Sequence, residues 1–161
     1  MISTGSEPVT AAHRRYIAVE TAISVAINVV ISIGFVFLVF GGTAHIAAAS
    51  LIADAAPQSF MIALMSTIVP TLLTRRRRAA GVIAARPAVA DRRDRALRLR
   101  APLVAAAVAG IGVALNAALF LTLWHDGLGF AAALAFKAIY GGALGLAVTP
   151  PMLRIALSER L

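Results

Sequence analysis

Four apolar runs and one long polar interruption organise this chain. The runs are Ile17 to Phe40, "IAVETAISVAINVVISIGFVFLVF", Ser59 to Thr74, "SFMIALMSTIVPTLLT", Ala101 to Trp124, "APLVAAAVAGIGVALNAALFLTLW", and Phe130 to Leu153, "FAAALAFKAIYGGALGLAVTPPML". A membrane-spanning helix needs about 20 mostly apolar residues. The first, third and fourth runs meet that length. The second is short; borrowing from "AAASLIADAA" upstream would lengthen it, but Asp54 and Pro57 interrupt that route. The alternative is that "HIAAASLIADAA" (His45 to Ala56) lies as a short helix in the outer interface. We read a short but complete second span, because without it the arginines around Arg14 and Arg75 would fall on opposite sides. The pattern therefore predicts an all-α integral membrane protein with four transmembrane helices. Residues 1–161 form one membrane domain, with spans at about 17–40, 59–74, 101–124 and 130–153 and a basic connector at 75–100.

Composition agrees with that pattern. Of 161 residues, 60% are hydrophobic and 14% charged, against about 45–50% and about 25% in soluble domains. Mean hydropathy is +0.88. The start carries no signal-peptide pattern, so the first run is read as a retained span. There is no cysteine, which removes disulfides and thiolate-bound metals.

The charge is strongly basic, +8 at pH 7. Where the charges sit matters more than the total. All fourteen arginines lie in the N-terminal tail, in the central connector or at the C-terminal end. No aromatic side chains are interleaved with them to stack bases, so nucleic acid is not the expected partner. With four spans these three regions share one side. The other side holds Asp54, Asp126, His45 and His125 and no Arg or Lys in its loops. The positive-inside rule then predicts cytoplasmic N- and C-termini in a bacterial inner membrane. Arg75, Arg76, Arg77 and Arg78 become topology anchors that meet anionic lipid headgroups. Within the connector, "DRRDRALRLR" is expected to start a helix continuing into the third span, with Asp91 as an N-cap candidate and Pro102 near the span's start.

The halves repeat one another. "SVAINVVISIGFVFLVF" sets against "GVALNAALFLTLW" with Asn28 opposite Asn116, and "FMIALMSTIVPTLLTR" against "YGGALGLAVTPPMLR" with Pro70 opposite Pro150. Each half reads as a helical hairpin, giving two tandem repeats of like orientation about an axis along the membrane normal. In this alignment the outer loop of the second half is the shorter one. A first helix with a central Asn and a second helix ending in Pro then Arg resembles a family of small two-helix bacterial inner-membrane proteins of unknown function. The second half carries "FKAIYGG…TPPMLRIAL", with Lys137, Pro150 or Pro151, and Arg154 in the family's places. The first half departs from it by having no Lys at the position of Lys137. The resemblance implies a membrane hairpin and no particular activity. The Ala- and Arg-rich style also resembles uncharacterised membrane proteins of high-GC bacteria.

Charged groups within a span cost about 2.5–3.5 kcal/mol each at the helix centre, which makes each one a candidate for function. Glu20 is expected to pair with Arg14, Arg15 or an Arg of a neighbouring hairpin. Lys137 is expected to snorkel outward, or otherwise to face the bundle and bind an anion or carboxylate. Asn28 and Asn116 fall mid-span, either as interhelical hydrogen-bonding residues or lining a shared polar pocket. Together Glu20, Asn28, Asn116 and Lys137 form the candidate intramembrane polar site. His45 and His125 could ligate a metal or haem only with Asp54 and Asp126, so no metal or cofactor is expected, and His125 beside Trp124 reads as an interface anchor. Gly141 and Gly145, with Gly110 nearby, allow close helix contact. Pro70, Pro150 and Pro151 are expected to terminate helices, the alternative being a hinge or ion-coordinating break. No nucleophile–base pair, phosphate loop or paired carboxylates occur, so no enzyme is expected. The sequence points first to a non-enzymatic accessory or scaffold subunit of a larger membrane assembly. The alternative is a small oligomeric transporter or channel for an ion or small polar solute.

Overall fold

The computed structural model describes residues 6–83 and 94–158. It consists of four long helices, α1 (Ser6–Phe40), α2 (Ala48–Ala79), α3 (Asp94–Thr122) and α4 (Phe130–Ser158), with two short strands, β1 (His45–Ile46) and β2 (Leu128–Gly129). All four helices are long and apolar enough to cross a membrane. The strands lie in the two loops that follow α1 and α3. They pair antiparallel, His45 with Gly129 and Ile46 with Leu128. Gly127 turns at φ 104, a backbone conformation open to glycine but costly with a Cβ. There its missing side chain leaves room for the backbone of Ile46 to Ala48.

Two expectations change. First, α2 does not begin at Ser59. It runs unbroken from Ala48 to Ala79, so the "HIAAASLIADAA" segment supplies its first turns and is not a separate interfacial helix. At 1.5 Å per residue α2 is about 48 Å long, ample for a bilayer core of about 30 Å. Asp54 is accommodated by a partner described below, and Pro57 faces outward. With α2 starting at Ala48, the loop from Phe40 to Ala48 equals the loop from Thr122 to Phe130 in length, so the second outer loop is not the shorter.

Second, the prolines do not end their helices. α2 continues past Pro70 to Ala79, and α4 past Pro150 and Pro151 to Ser158. A helical proline removes one backbone hydrogen bond and leaves a carbonyl free. Here both flanks stay packed: Thr67, Thr71 and Thr74 around Pro70, and Val148, Thr149, Met152 and Leu153 around Pro150 are all buried. α3 starts at Asp94, within the connector stretch expected to begin a helix continuing into the third span, and Pro102 lies inside it. Asp91 lies outside the described residues.

The helices do not pair as simple hairpins. α1 packs along α4, α2 along α3, and α2 against α4, whereas the α1 and α2 backbones approach at few points. α1 and α4 run antiparallel: Ser24 meets Thr149, Gly145 lies against Asn28, and Gly141 against Ser32. Two apolar clusters hold the bundle. One sits at the loop end, with Val36, Phe40, Ile46, Leu51 and Phe120 buried. The other lies between α2, α3 and α4, around Ala63, Ala105, Val148 and Met152. The outer surface is apolar as well, with Val30, Leu38, Leu103, Leu121 and Ile139 each well exposed. The usual inside-out ordering is thus inverted: the molecule is greasy outside and notably polar within.

Candidate functional site

The polar interior begins from a spacing in α1. Residues four apart lie on one helix face, and Tyr16, Glu20, Ser24, Asn28 and Ser32 follow that spacing. Each bonds to another helix. Tyr16 shares a hydrogen bond with Thr74 at 2.9 Å. Glu20 accepts an ion-pair hydrogen bond from Arg77. Ser24 meets Thr149 at 2.8 Å. The Asn28 amide donates to Ser66 at 3.2 Å, and Ser32 accepts from the Gln58 amide at 3.0 Å. Four of the five reach α2, so side chains bridge the gap that the α1 and α2 backbones leave.

α2 supplies the other wall. Gln58, Ser59, Ser66, Thr67, Thr71 and Thr74 are all buried. Several hydroxyls are satisfied by their own helix: Ser59 donates to the Ala55 carbonyl at 2.5 Å, Thr67 to Ala63 at 2.7 Å and Thr71 to Thr67 at 2.6 Å. Such back-bonding lets a hydroxyl-rich face pack without leaving buried donors orphaned.

Toward the loop end the seam reaches its charged terminus. Lys137 is fully buried. Its ammonium lies 2.9 Å from the Asp54 carboxylate and 3.3 Å from the Leu51 carbonyl, to which it donates. It also sits 6.0 Å over the Tyr140 ring, at the edge of the range in which a cation and an aromatic face attract. The Tyr140 hydroxyl meets Ser59 at 2.7 Å. Asn116 of α3 stands beside it, its amide donating to Gly112 at 2.8 Å. Tyr140 also belongs to an aromatic cluster. Phe120 and Phe136 meet edge to face at 5.2 Å, Phe136 stacks on Tyr140 at 6.0 Å, and Trp124 packs on both phenylalanines.

At the arginine-rich end a surface groove borders the seam. A groove of about 800 Å³ is lined by Arg15, Tyr16, Glu20 and Arg77. The groove therefore meets the seam at Glu20, itself buried, and Lys137 at the other end is fully buried.

Each sequence-derived candidate has a place in this seam. Lys137 does not snorkel outward; it turns into the bundle, because Asp54 offers a carboxylate partner one helix away. Glu20 pairs with Arg77 of α2, and neither Arg14 nor Arg15 is its partner. Of the four presumed lipid anchors, Arg77 therefore faces a carboxylate, and Arg78 donates to the Ala156 carbonyl at 2.8 Å. Asn28 and Asn116 are both buried but stand in different parts of the seam, each with its own neighbours. Asp54 is the residue that sequence reasoning passed over as a site, treating it as an interruption. Its signal was an acid inside an otherwise apolar stretch, with a lone lysine in the chain to answer it. His45 bonds to the Asp126 carbonyl at 2.8 Å, and His125 and Asp126 are exposed. Among the described residues no group of three or more His, Cys, Asp or Glu is placed to hold a metal.

Two buried polar atoms of the seam, Gln58 Oε1 and Asn116 Oδ1, lack a hydrogen-bond partner among the described residues, as does Thr21 Oγ1 on another face of α1. Leaving a buried polar group unmet costs about 1–3 kcal/mol, so each marks a place where water or a small polar molecule would be held. The bonds that are made can be weighed directly. A double-mutant cycle on Asn28→Ala and Ser66→Ala should return a coupling of about 0.6 kcal/mol, with about 1.7 kcal/mol as the upper end for such bonds. Unfolding from mixed micelles by titrated SDS measures it, and zero coupling would remove this contact from the seam. Comparison with known proteins adds no relative: no family model, no curated protein and no solved structure matches this chain.

Proposed function

We propose that this chain is a four-span protein of the bacterial inner membrane that moves an ion or small polar solute along its interior seam. The observation that carries the reading is the buried Asp54–Lys137 pair at one end of a polar seam whose other end borders a surface groove at Glu20. Replacing a buried ion pair by well-packed apolar residues is often neutral or stabilising, so packing alone gives little reason for this one. Charged residues inside a membrane typically mark ion or proton pathways. The unmet amide oxygens of Gln58 and Asn116 supply further points where a passing polar species would find a partner. The arginines at one end of all four helices support cytoplasmic termini, with anionic headgroups around them.

The packing also supports a duplicated hairpin. Exchanging the hairpin α1–α2 with α3–α4 leaves the pattern unchanged, since α1 on α4 becomes α3 on α2. The β1–β2 register sets His45 in correspondence with Leu128. The same number of residues further on in each half stand Asp54 and Lys137. The ion pair then joins equivalent positions of the two repeats, and the Lys missing from the first half is answered there by an Asp. This register places Pro70 opposite Leu153 and Asn28 opposite Ile111, so both the proline and the Asn28–Asn116 pairings read from the sequence differ from it.

A second reading, an accessory subunit of a larger assembly, draws on a separate observation. The most apolar windows of α1 and α3 are each only 22% buried within this chain, leaving broad faces for lipid or other chains. Purification in mild detergent followed by reconstitution into liposomes separates the two. The transport reading expects the chain alone to dissipate an imposed proton or ion gradient, and expects the Asp54→Leu/Lys137→Met double variant to abolish that flux. A silent chain that purifies in a stoichiometric larger complex would overturn it in favour of the accessory role.

A further inference from the structure

On the opposite flank of α1 from the Glu20 groove lies a second groove, of about 1000 Å³, between α1 and α4. Its composition is graded along its length. Arg14 and Arg154 line it at the arginine-rich end; Ala22 and Ala26 of α1, with Leu146 of α4, line it toward the bundle middle. From Arg14 to Ala26 the groove follows α1 for about 18 Å at 1.5 Å per residue. Between these ends stands Thr21, only 6% exposed. Its hydroxyl is buried with no hydrogen-bond partner among the described residues and lines this groove. Pro150, also lining it, has no N–H to give to the Leu146 carbonyl.

From these features we infer that the α1–α4 groove binds one anionic phospholipid. The phosphate meets Arg14 and Arg154, a glycerol or ester oxygen accepts from the Thr21 hydroxyl, and one acyl chain lies along the alanine-lined channel toward Leu146. Two guanidinium groups suit a phosphodiester, because arginine matches phosphate oxygens in pairs. The alanines leave the width that a hydrocarbon chain fills. A free phosphate would use the arginines alone and gain nothing from the apolar length, whereas a phospholipid engages both ends. This site is separate from the polar seam, which lies on the face of α1 bearing Glu20 and Asn28.

The test is phospholipid retention by the full chain through mild-detergent purification, read by native mass spectrometry and by bound phosphorus per protein. The expected result is about one anionic phospholipid retained, in preference to a zwitterionic one supplied at equal concentration. Arg14→Gln/Arg154→Gln should reduce retention about tenfold. Ala22→Phe should reduce it about as much while leaving both charges in place, with monodisperse elution and unchanged helical circular dichroism serving as the folding check. Thr21→Val provides a smaller perturbation, in which loss of the hydroxyl weakens retention without filling the groove. Retention equal to that of the unaltered protein in both the arginine and Ala22→Phe variants would overturn the site. Displacement by millimolar inorganic phosphate, with Ala22→Phe having no effect, would replace the lipid by a simple anion and equally overturn the proposal.

Discussion

Lys137→Met should destabilise the protein by about 3–5 kcal/mol, and adding Asp54→Leu should recover most of that loss. The single change removes the ammonium from a site that is fully buried and leaves the Asp54 carboxylate, its side chain 9% exposed, without its cation. Removing one member of a buried pair typically costs this much because the other charge is left uncompensated. The double variant removes both charges and puts apolar side chains at a buried site beside the Leu51 carbonyl and the Tyr140 ring. Its stability should match or exceed that of the unaltered chain. SDS-titrated unfolding followed by circular dichroism gives both numbers. A Lys137→Met protein as stable as the original would mean that the pair does not form. A double variant as unstable as the single would assign the two residues to separate roles. The stable double variant is also the protein in which lost flux can be read as lost function, since its fold is intact.

This pair shows where sequence reading stopped. The four apolar helices were legible because their hydropathy exceeds what a soluble core can absorb, and Glu20, Asn28, Asn116 and Lys137 stood out as polar groups in those runs. The full α1 stripe was also written in the chain, as Tyr16, Glu20, Ser24, Asn28 and Ser32 at a spacing of four. Serine and tyrosine are too mild in hydropathy to draw attention without their partners. Asp54 went unrecognised for a related reason. It lowers local hydropathy enough to look like the edge of a span, when the cost of its burial is offset by a lysine far along the chain. Arg77 illustrates the same gap. In a run of four arginines nothing local distinguishes the one that turns toward Glu20, because that choice depends on which face of α2 meets α1. Prolines were read by their local cost, whereas their helices persist through tertiary packing on both sides. Helix adjacency, with α1 on α4 in place of its own hairpin partner, is a property of the assembled bundle that no single segment carries.

The closeness of α1 and α4 leads to the second large effect, and it turns on identical substitutions with opposite signs. Gly34→Ala and Gly110→Ala place a methyl group in open space, with nothing within 4 Å of either new Cβ. Alanine is favoured over glycine in a helix interior by roughly 0.5–1 kcal/mol, so both should be neutral to stabilising. Gly141→Ala meets a different neighbourhood. Its Cβ would overlap the Ser32 hydroxyl, approach the Ser32 Cβ at 3.0 Å and stand 3.1 Å from the Asn28 backbone carbonyl. The hydroxyl could rotate away, but it accepts the Gln58 hydrogen bond, and the backbone carbonyl cannot yield without moving α1. Overpacking of this kind costs about 1–3 kcal/mol, which outweighs the gain in helix propensity. Gly141→Val should cost more, since its branches enter the same contact. The damage should propagate along the stripe: pushing α1 from α4 separates Ser24 from Thr149 and strains the Asn28–Ser66 and Ser32–Gln58 bonds, so the coupling measured between Asn28 and Ser66 should shrink in a Gly141→Ala background. Equal stability of Gly141→Ala and Gly34→Ala in the same SDS titration would contradict the close approach of α1 and α4, and with it the side-chain register on which the seam depends.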